Sequence, residues 1–192
     1  MMNLAKLDGE VYYIKTFYSD EKASIFFKEL ETYSQYEQRT IKIFGKQYKS
    51  PRLEAFFTKE NQVYSYSGKT LESHPFTTTL KEICNDLERF TNNKYNSVLV
   101  NVYRSGSDGN GWHSDDEKEL GKNPFIASLS FGGTRTIQFR HKVHRNKFHL
   151  DMEHGSLLIM KGALQHHWKH HIPKTKKEKG KRINLTFRSI KD

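Results

Sequence analysis

The sequence predicts an α+β domain whose body is an antiparallel double sheet or barrel. Two amphipathic helical segments lie in the N-terminal half, and most of the short strand-like segments follow them, which is not the alternation of a βαβ fold. The length of 192 residues suits one domain. The sequence has neither a Rossmann fingerprint nor a P-loop, so we do not expect a nucleotide cofactor.

Two apolar stripes at helical spacing predict helices at residues 20–33 and 80–90. The stripes consist of Ala23, Phe26, Phe27, Leu30 and Tyr33 in the first helix and of Leu80, Ile83, Cys84, Leu87 and Phe90 in the second. The capping residues are Ser19 or Asp20 for the first helix and the Thr79/Glu82 pair, spaced as a capping box, for the second. Both stripes are typical of packing against a core.

Short runs rich in β-branched and aromatic residues predict the strands. They cover residues 40–44, 62–66, 97–103, 125–131, 134–140, 156–160 and 182–190. Gly132-Gly133 between two of these runs has the form of a two-residue hairpin turn.

The charge is distributed unevenly along the chain. The whole sequence carries 32 Lys and Arg against 22 Asp and Glu, and residues 121–192 hold 16 of these cations but 4 of the anions. Such asymmetry favours a polyanionic partner, most commonly nucleic acid, and the alternative is a basic surface that serves solubility alone.

Cysteine usage and hydropathy indicate the compartment. The one cysteine, Cys84, excludes an internal disulfide framework and a four-cysteine zinc site. The sequence starts without an apolar segment of signal-peptide length and has no stretch near 18 apolar residues. We therefore expect an intracellular protein without membrane contact, cytoplasmic in a bacterium or nuclear in a eukaryote.

A histidine and a carboxylate stand two residues apart in His113-Ser-Asp115. In an extended segment this spacing points both side chains to one face. Together with a distant histidine they make the ligand set of a 2-His-1-carboxylate iron site. His149-Leu-Asp151 repeats the spacing, but the first motif follows a glycine-rich turn and leaves room for strands before a downstream histidine.

The third ligand is expected in the histidine cluster of residues 165–172. If this segment is a strand, His166 and His170 share a face with the apolar Trp168 and Ile172, whereas His167 and His171 lie on the polar face. His166 and His170 are therefore the two candidates.

The last predicted strand has one wholly polar face, made of Arg182, Asn184, Thr186 and Arg188. Two inward arginines require anionic partners, because an unpaired buried charge is costly. The pair can converge on a small ligand with a carboxylate at each end. Asn101 and Tyr103 alternate onto one face of another strand and could bind the same ligand.

Taken together, these motifs resemble the AlkB family of iron(II)/2-oxoglutarate-dependent nucleic-acid demethylases, in the branch of the animal nuclear DNA-repair homologues. The resemblance runs from about residue 43 to residue 190. The matching stretches include Phe44-Gly-Lys46, Ser50-Pro-Arg52, His113-Ser-Asp-Asp-Glu117, Ile126-Ala-Ser-Leu-Ser-Phe131, Phe139-Arg-His-Lys142 and Arg182–Arg188. It implies a double-stranded β-helix (jelly roll) core at about residues 96–192, with N-terminal helices and a nucleotide-recognition lid at about 36–75, in a single domain covering residues 1–192.

The same resemblance implies the site residues. Fe²⁺ would be held by His113, Asp115 and His170, and 2-oxoglutarate, with O₂ as the second co-substrate, by Asn101, Tyr103, Arg182, Thr186 and Arg188. The substrate residues would be Phe44, Gly45, Lys46, Arg52, Tyr64, Ser65, Tyr66, Asp116 and Glu117, with Phe44 as a wedge and Tyr66 stacked on an extruded base.

The implied activity is oxidative demethylation of bases such as 1-methyladenine and 3-methylcytosine in DNA, with succinate and formaldehyde as products. The expected partner is alkylated DNA, or RNA, and the expected state is a monomer. Two alternatives are weighed against it: an iron oxygenase of the same fold that acts on RNA, protein or lipid, and a basic nucleic-acid-binding module without chemistry. The second leaves the inward polar strand of residues 182–188 unexplained.

Overall fold

Two β-sheets packed on each other form the body of the protein. The computed structural model describes residues 1–43, 46–59, 64–66 and 69–191. The strands are β1 (Glu10–Ile14), β2 (Thr40–Ile43), β3 (Lys46–Lys49), β4 (Leu53–Thr58), β5 (Tyr64–Tyr66), β6 (Lys69–Leu71), β7 (Ser73–Pro75), β8 (Ser97–Tyr103), β9 (Asn110–His113), β10 (Ile126–Gly132), β11 (Arg135–His141), β12 (Lys147–Met152), β13 (Ser156–Lys161), β14 (Trp168–Ile172) and β15 (Arg182–Arg188). The helices are α1 (Asp20–Glu31), α2 (Thr78–Thr91) and α3 (Leu164–His167), with a 3₁₀ turn at Lys118–Leu120.

The larger sheet has seven strands in the order β1-β13-β10-β15-β8-β4-β7. Its pairs are antiparallel except β4 with β7. The smaller sheet has the order β12-β11-β14-β9 and is antiparallel throughout. Two further hairpins, β2–β3 and β5–β6, lie in the range expected to form the lid.

The two sheets enclose one core and the helices cover another. Between the sheets, Ile126, Leu158 and Met160 of the larger sheet pack with Phe139 and Trp168 of the smaller. On the opposite side of the larger sheet, α1 and α2 bury residues of their predicted stripes against it, including Phe26, Leu30, Leu80 and Leu87. This double sheet, covered by helices on one side, confirms the predicted α+β class. The polar face of β15 lies in the space between the two sheets.

The helix ends differ in detail from the prediction. Ser19, not Asp20, caps α1, since its side chain accepts a hydrogen bond from the Lys22 backbone. The predicted capping box at Thr79 is wrong: Thr77 caps α2, and the Thr79 hydroxyl instead donates to Glu29 at 2.6 Å. Phe90, at the end of the second stripe, is 48% exposed.

The predicted hairpin at Gly132-Gly133 is also wrong. β10 pairs with β13 and β15 in the larger sheet, whereas β11 pairs with β12 and β14 in the smaller. The two glycines therefore carry the chain from one sheet to the other. A side chain at Gly132 would clash with the Lys181 carbonyl, and the φ of +82° at this residue also favours glycine.

Within the described residues, no helix combines the length and the apolar character needed to span a bilayer.

Candidate active site and metal centre

His113, Asp115 and His170 come together between the sheets. His113 and His170 are register partners on β9 and β14, and their ring centroids are 4.3 Å apart. Asp115 follows β9 by two residues, and its Oδ1 lies 3.5 Å from His113 Nε2. One ligand atom from each of the three residues lies within 4.8 Å of the others. This is a facial set of two nitrogens and one oxygen, the donor set suited to a non-haem iron(II).

Hydrogen bonds fix the orientation of His113 and of the segment that carries Asp115. The Nδ1 of His113 lies 2.9 Å from the Gly111 carbonyl, which can only accept, so Nδ1 donates this hydrogen bond and Nε2 is the ring nitrogen available to a metal. The Asp115 backbone N–H donates to Gln165 Oε1 at 2.9 Å, and the Ser114 hydroxyl donates to the Trp168 carbonyl at 2.8 Å. The segment after β9 is thereby tied to α3 and β14.

Electrostatics favours the protonation states that a metal requires. Burial works against the charged form of Asp115, but Arg188, His170 and His113 hold the pKa of this carboxyl below its usual range. Burial, together with the neighbouring His113, lowers the pKa of His170 to about 3, with Asp115 opposing the shift. An ionised Asp115 and a neutral His170 are both ready to act as ligands.

Of the two candidates for the third position, the structure brings His170, and not His166, next to His113 and Asp115. Residues Leu164–His167 form α3, so the strand begins at Trp168 and His166 lies outside it with an exposed side chain. His149 is exposed, and Asp151 accepts a hydrogen bond from the Thr136 hydroxyl at 2.6 Å. The second His-x-Asp motif therefore lies on the surface of the smaller sheet.

A second group, Asp8, His141 and His144, also brings ligand atoms within 4.8 Å of one another. The Nδ1 of His141 accepts the backbone N–H groups of Val143 and His144 at 3.2 and 3.0 Å. Its proton must then sit on Nε2, which lies 3.2 Å from Asp8 Oδ2. This arrangement fastens a turn to the N-terminal segment and leaves His141 no lone pair for a metal.

The polar face of β15 lines a buried cavity next to the three ligands. The residues expected to bind a dicarboxylate all contribute to it: Asn101, Tyr103, Arg182, Thr186 and Arg188. β8 and β15 pair in register, with Arg182 opposite Tyr103 and Asn184 opposite Asn101. Two adjacent strands therefore present their polar residues to one space.

Arg182 has the chemistry of an anion-binding group. Its side chain is buried, its Nη2 donates to Ser130 Oγ at 2.8 Å, and its guanidinium lies 5.2 Å from the Tyr103 ring centroid. Burial lowers the pKa of Arg182 to about 10. Its Nε and Nη1 find no hydrogen-bond partner in the part of the chain that the structure describes. Because a buried guanidinium with unsatisfied donors is costly, this end of the cavity fits a carboxylate.

Arg188, at the other end of the strand, lies at the metal end of the cavity. Its Nη2 is 2.8 Å from Asp115 Oδ2. Thr186, between the two arginines, donates to Asn184 Oδ1 at 3.1 Å, while Asn184 donates to Ser128 Oγ at 2.8 Å. Asn184, Ser128 and Ser130 were not among the expected site residues. The signal for the serines is a pair of polar residues two apart in the otherwise apolar strand β10.

Only some of the residues expected to bind the substrate lie in the part of the chain that the structure describes. Phe44 and Gly45 lie outside the described residues. Lys46 is in β3, and Tyr64, Ser65 and Tyr66 form β5. Among the acidic residues, Asp116 is exposed and 3.8 Å from Lys142 Nζ, whereas Glu117 is half-buried. Burial raises the pKa of Glu117 to about 7, with Arg188 opposing the shift and Asp115 adding to it.

Arg52, also expected to contact substrate, lies in the cavity instead of on an open surface. It is 8% exposed, and its Nε donates to Asn101 Oδ1 at 2.7 Å. Its Nη2 forms an ion pair with Glu54.

A basic surface covers the outer side of the smaller sheet, and sequence reasoning did not identify it as a unit. Arg140 on β11 faces Lys147 on β12 and Lys169 on β14 across the strands. The Arg140 guanidinium lies 4.3 Å from the ring centroid of Trp112, which stacks on His171 at 3.7 Å. We call Lys147, Arg140 and Lys169 the cross-strand cation row.

The sequence profile of the 2OG-Fe(II) oxygenase superfamily matches residues 10–188. The chain belongs to this superfamily. Within it, the chain is 38% identical over 180 residues to human "DNA oxidative demethylase ALKBH2", covering 88% of this chain and 69% of that protein. It is 43% identical over 155 residues to human "Alpha-ketoglutarate-dependent dioxygenase alkB homolog 3", covering 74% of this chain. The resemblance to the AlkB family is thus confirmed.

Other comparisons extend this result to the fold. The Arabidopsis thaliana ALKBH2 protein is 32% identical over 209 residues, covering 95% of this chain and 67% of that protein. A solved structure of OsALKBH1 superposes with a TM-score of 0.59 at 18% identity, covering 95% of the oxygenase and 98% of that chain, which confirms the predicted jelly-roll fold. The oxygenase spans 53% of the length of human alkB homolog 3. Superfamily membership and the triad together make Fe²⁺ and 2-oxoglutarate the cofactor and co-substrate.

Proposed function

We propose that this oxygenase demethylates N-alkylated bases in DNA, such as 1-methyladenine and 3-methylcytosine, and releases formaldehyde while 2-oxoglutarate is converted to succinate. The observation that carries the proposal is the cavity itself. It joins the His113–Asp115–His170 ligand set to two buried arginines on one strand. The relatives, among them the human protein named DNA oxidative demethylase ALKBH2, support a nucleic-acid substrate.

The roles of the residues follow from their places in the cavity. His113, Asp115 and His170 would hold Fe²⁺, which, with O₂ and 2-oxoglutarate, supplies the oxidation of the alkyl carbon. Arg182 would pair with the 2-oxoglutarate carboxylate far from the metal, because its unsatisfied donors lie there. Arg188 would orient the end nearer the metal, since it adjoins Asp115. Burial of both arginines excludes water and strengthens their pairing with the co-substrate.

The substrate would enter beside the lid at about residues 36–75, against the jelly-roll core at about 96–192. In this proposal Phe44 fills the gap left by an extruded base and Tyr66 stacks on that base, with Gly45, Lys46, Tyr64 and Ser65 forming the rest of the contact. Asp116 and Glu117 lie after the metal ligand Asp115, where carboxylates can attract a base that is cationic when methylated. The chain is proposed to act as a monomer.

The cross-strand cation row supports a polyanionic substrate. Neighbouring strands lie about 4.8 Å apart, so the three like charges are close and repel one another. None of the three forms an ion pair with a carboxylate among the described residues. A sugar–phosphate backbone supplies the missing counter-charge.

Product formation from a matched set of substrates tests the proposal. The protein, loaded with Fe²⁺ and 2-oxoglutarate, is given a DNA oligonucleotide with one 1-methyladenine, the same oligonucleotide unmethylated, its RNA counterpart, and a methyl-lysine peptide. Succinate and formaldehyde should form in equal amounts with the methylated DNA and stay at background with the unmethylated DNA and the peptide. Formaldehyde released from the peptide alone, or from RNA but not from DNA, would contradict the proposal and would identify protein or RNA as the substrate class.

A further inference from the structure

The side chain of Arg52 is buried, although this residue directly precedes strand β4 on the side of the domain proposed to carry the lid. It lies between the hairpin β2–β3 and strand β4, yet its side chain lines the cavity of the metal and co-substrate. It is 8% exposed, so a nucleic-acid backbone on the surface would reach little of it.

The contact from Arg52 determines which way the Asn101 amide points. A guanidinium can only donate hydrogen bonds, so the Asn101 atom 2.7 Å from Arg52 Nε must be the carbonyl oxygen Oδ1. What the amide then offers to the cavity is its Nδ2 donor. If the Asn101 amide were rotated by 180°, its Nδ2 donor would face the Arg52 Nε donor. Its Oδ1 acceptor would then face the cavity, where it would repel a carboxylate or a keto oxygen.

Arg52 is itself held from the other side by Glu54. The two side chains form a buried ion pair, and Glu54 is 3% exposed. Glu54 is the register partner of Asn101 on the neighbouring strand, so the three residues form one compact group. Reciprocal backbone hydrogen bonds between Glu54 and Glu37, of 2.9 and 3.0 Å, fix this point of β4, and Arg39 Nε lies 3.9 Å from the Glu54 carboxylate.

We propose that Arg52 is a positioning residue for 2-oxoglutarate, which acts by holding Asn101 with its Nδ2 donor towards the co-substrate. This inference rests on the proposed binding of 2-oxoglutarate in the cavity. It replaces the expectation that Arg52 contacts the nucleic acid, because its buried contacts are with Asn101 and Glu54.

A double-mutant cycle measured by binding tests the proposal. The protein is loaded with Mn²⁺ in place of iron, so that no turnover occurs, and the dissociation constant of 2-oxoglutarate is measured by calorimetry. Arg52→Ala and Asn101→Ala should each raise it about tenfold or more, the scale of one hydrogen bond to a charged group. The double variant should be no weaker than Asn101→Ala alone, because Arg52 acts through that side chain.

Two further variants separate positioning from stability. Asn101→Asp keeps an acceptor for Arg52 but removes the donor towards the cavity, so the melting temperature should stay near that of the wild type while 2-oxoglutarate binding is lost. Arg52→Met/Glu54→Gln removes both buried charges at once, which avoids stranding Glu54, and should show the same loss of binding in a folded protein. Lys59→Ala breaks the ion pair with Glu88 near the end of β4 and should leave binding unchanged.

Each result decides between named alternatives. Additive losses in the double variant, or normal 2-oxoglutarate binding by Arg52→Ala together with weaker binding of a methylated oligonucleotide, would overturn the proposal and make Arg52 a nucleic-acid contact. A normal dissociation constant for Asn101→Ala would overturn it as well. A wild-type protein that does not bind 2-oxoglutarate at all would be a different outcome, because it would contradict the proposed function itself.

Discussion

Arg188 and Asp115 form a buried ion pair, with Nη2 2.8 Å from Oδ2 and side chains that are 4% and 2% exposed. The pair joins the last strand, which lines the cavity proposed for the co-substrate, to the segment that carries two of the three proposed metal ligands. Arg182, six residues earlier on the same face, has a serine and an aromatic ring for neighbours instead of a carboxylate. We therefore expect the two arginines to differ in what they contribute to the stability of the ligand-free protein.

We expect Arg188→Met to destabilise the ligand-free protein by about 3–5 kcal/mol, because it leaves Asp115 buried without its cationic partner. Arg182→Met should be neutral or stabilising under the same conditions, because it removes a buried cation with unsatisfied donors. Urea unfolding of the two variants without metal or 2-oxoglutarate measures the difference. Arg182→Met should also lose the rise in melting temperature that 2-oxoglutarate gives the wild type. Equal destabilisation by both substitutions would show that Arg182 has a structural partner.

The two His-x-Asp motifs should differ in their importance for metal binding. Asp115→Ala should abolish tight binding of Mn²⁺ or Fe²⁺, since it removes the anionic ligand of the set. Asp151→Ala should bind the metal as the wild type does, because Asp151 lies on the surface and accepts a hydrogen bond from Thr136. Metal titration by calorimetry compares the two, and a similar loss in both would exclude the assignment of the first motif.

Alternation along strands predicted the centre of the site well. β8 has the predicted bounds Ser97–Tyr103, and Arg182–Arg188 presents its polar residues on one face as expected. The reason is local: a side-chain period of two, once a segment is known to be extended, determines which residues share a face. The same rule made both His166 and His170 candidates. His166 does not join the group, because one turn of helix at Leu164–His167 interrupts the extended segment.

What the sequence could not predict depends on contacts between distant segments. Gly132-Gly133 has the local form of a hairpin, but the pairing of β10 with β13 and β15 takes the following strand into the other sheet. Strands β9 and β12 carry many polar residues and were not predicted, because their stability comes from neighbours in the smaller sheet. The role proposed for Arg52 likewise depends on a contact with Asn101, which is 49 residues away.

A carboxylate distant from the site should make stability fall in acid. Burial disfavours the charged form of Glu88, but hydrogen bonds from Lys59, Lys94 and the Tyr95 backbone lower its pKa to about 2. Because the folded pKa is below the unfolded one, Glu88 stabilises the protein above about pH 4.5, and this contribution is lost as the pH falls towards 2. Glu88→Gln should therefore cost on the order of 2 kcal/mol at pH 7 and progressively less below pH 4. Urea unfolding of both proteins across this range checks the prediction, and a cost that does not change with pH would contradict it.

The wedge role proposed for Phe44 gives a prediction about whether duplex or single-stranded DNA is affected more. Filling the gap left by an extruded base repays a few kcal/mol of unstacking in a duplex and almost none in a single strand. Phe44→Ala should therefore slow demethylation of duplex DNA much more than that of single-stranded DNA of the same sequence. Formaldehyde release from the two substrates provides the comparison, and equal slowing on both would make Phe44 a packing residue of the lid.

The cross-strand cation row predicts a change in the salt dependence of binding. For a single-stranded oligonucleotide, the logarithm of the binding constant falls with the logarithm of salt concentration with a slope of about −0.7 per phosphate contact. If Arg140, Lys147 and Lys169 each contact a phosphate, replacing all three with Gln should reduce the slope by about 2. The matched control is Lys28→Gln/Lys81→Gln/Lys122→Gln, which removes the same charge from exposed positions outside the row. Fluorescence anisotropy at several salt concentrations measures the slope, with the affinity for 2-oxoglutarate as a check that the cavity is intact. If the control reduces the slope as much as the row variant does, net charge alone attracts the nucleic acid, and the cross-strand cation row does not form specific phosphate contacts.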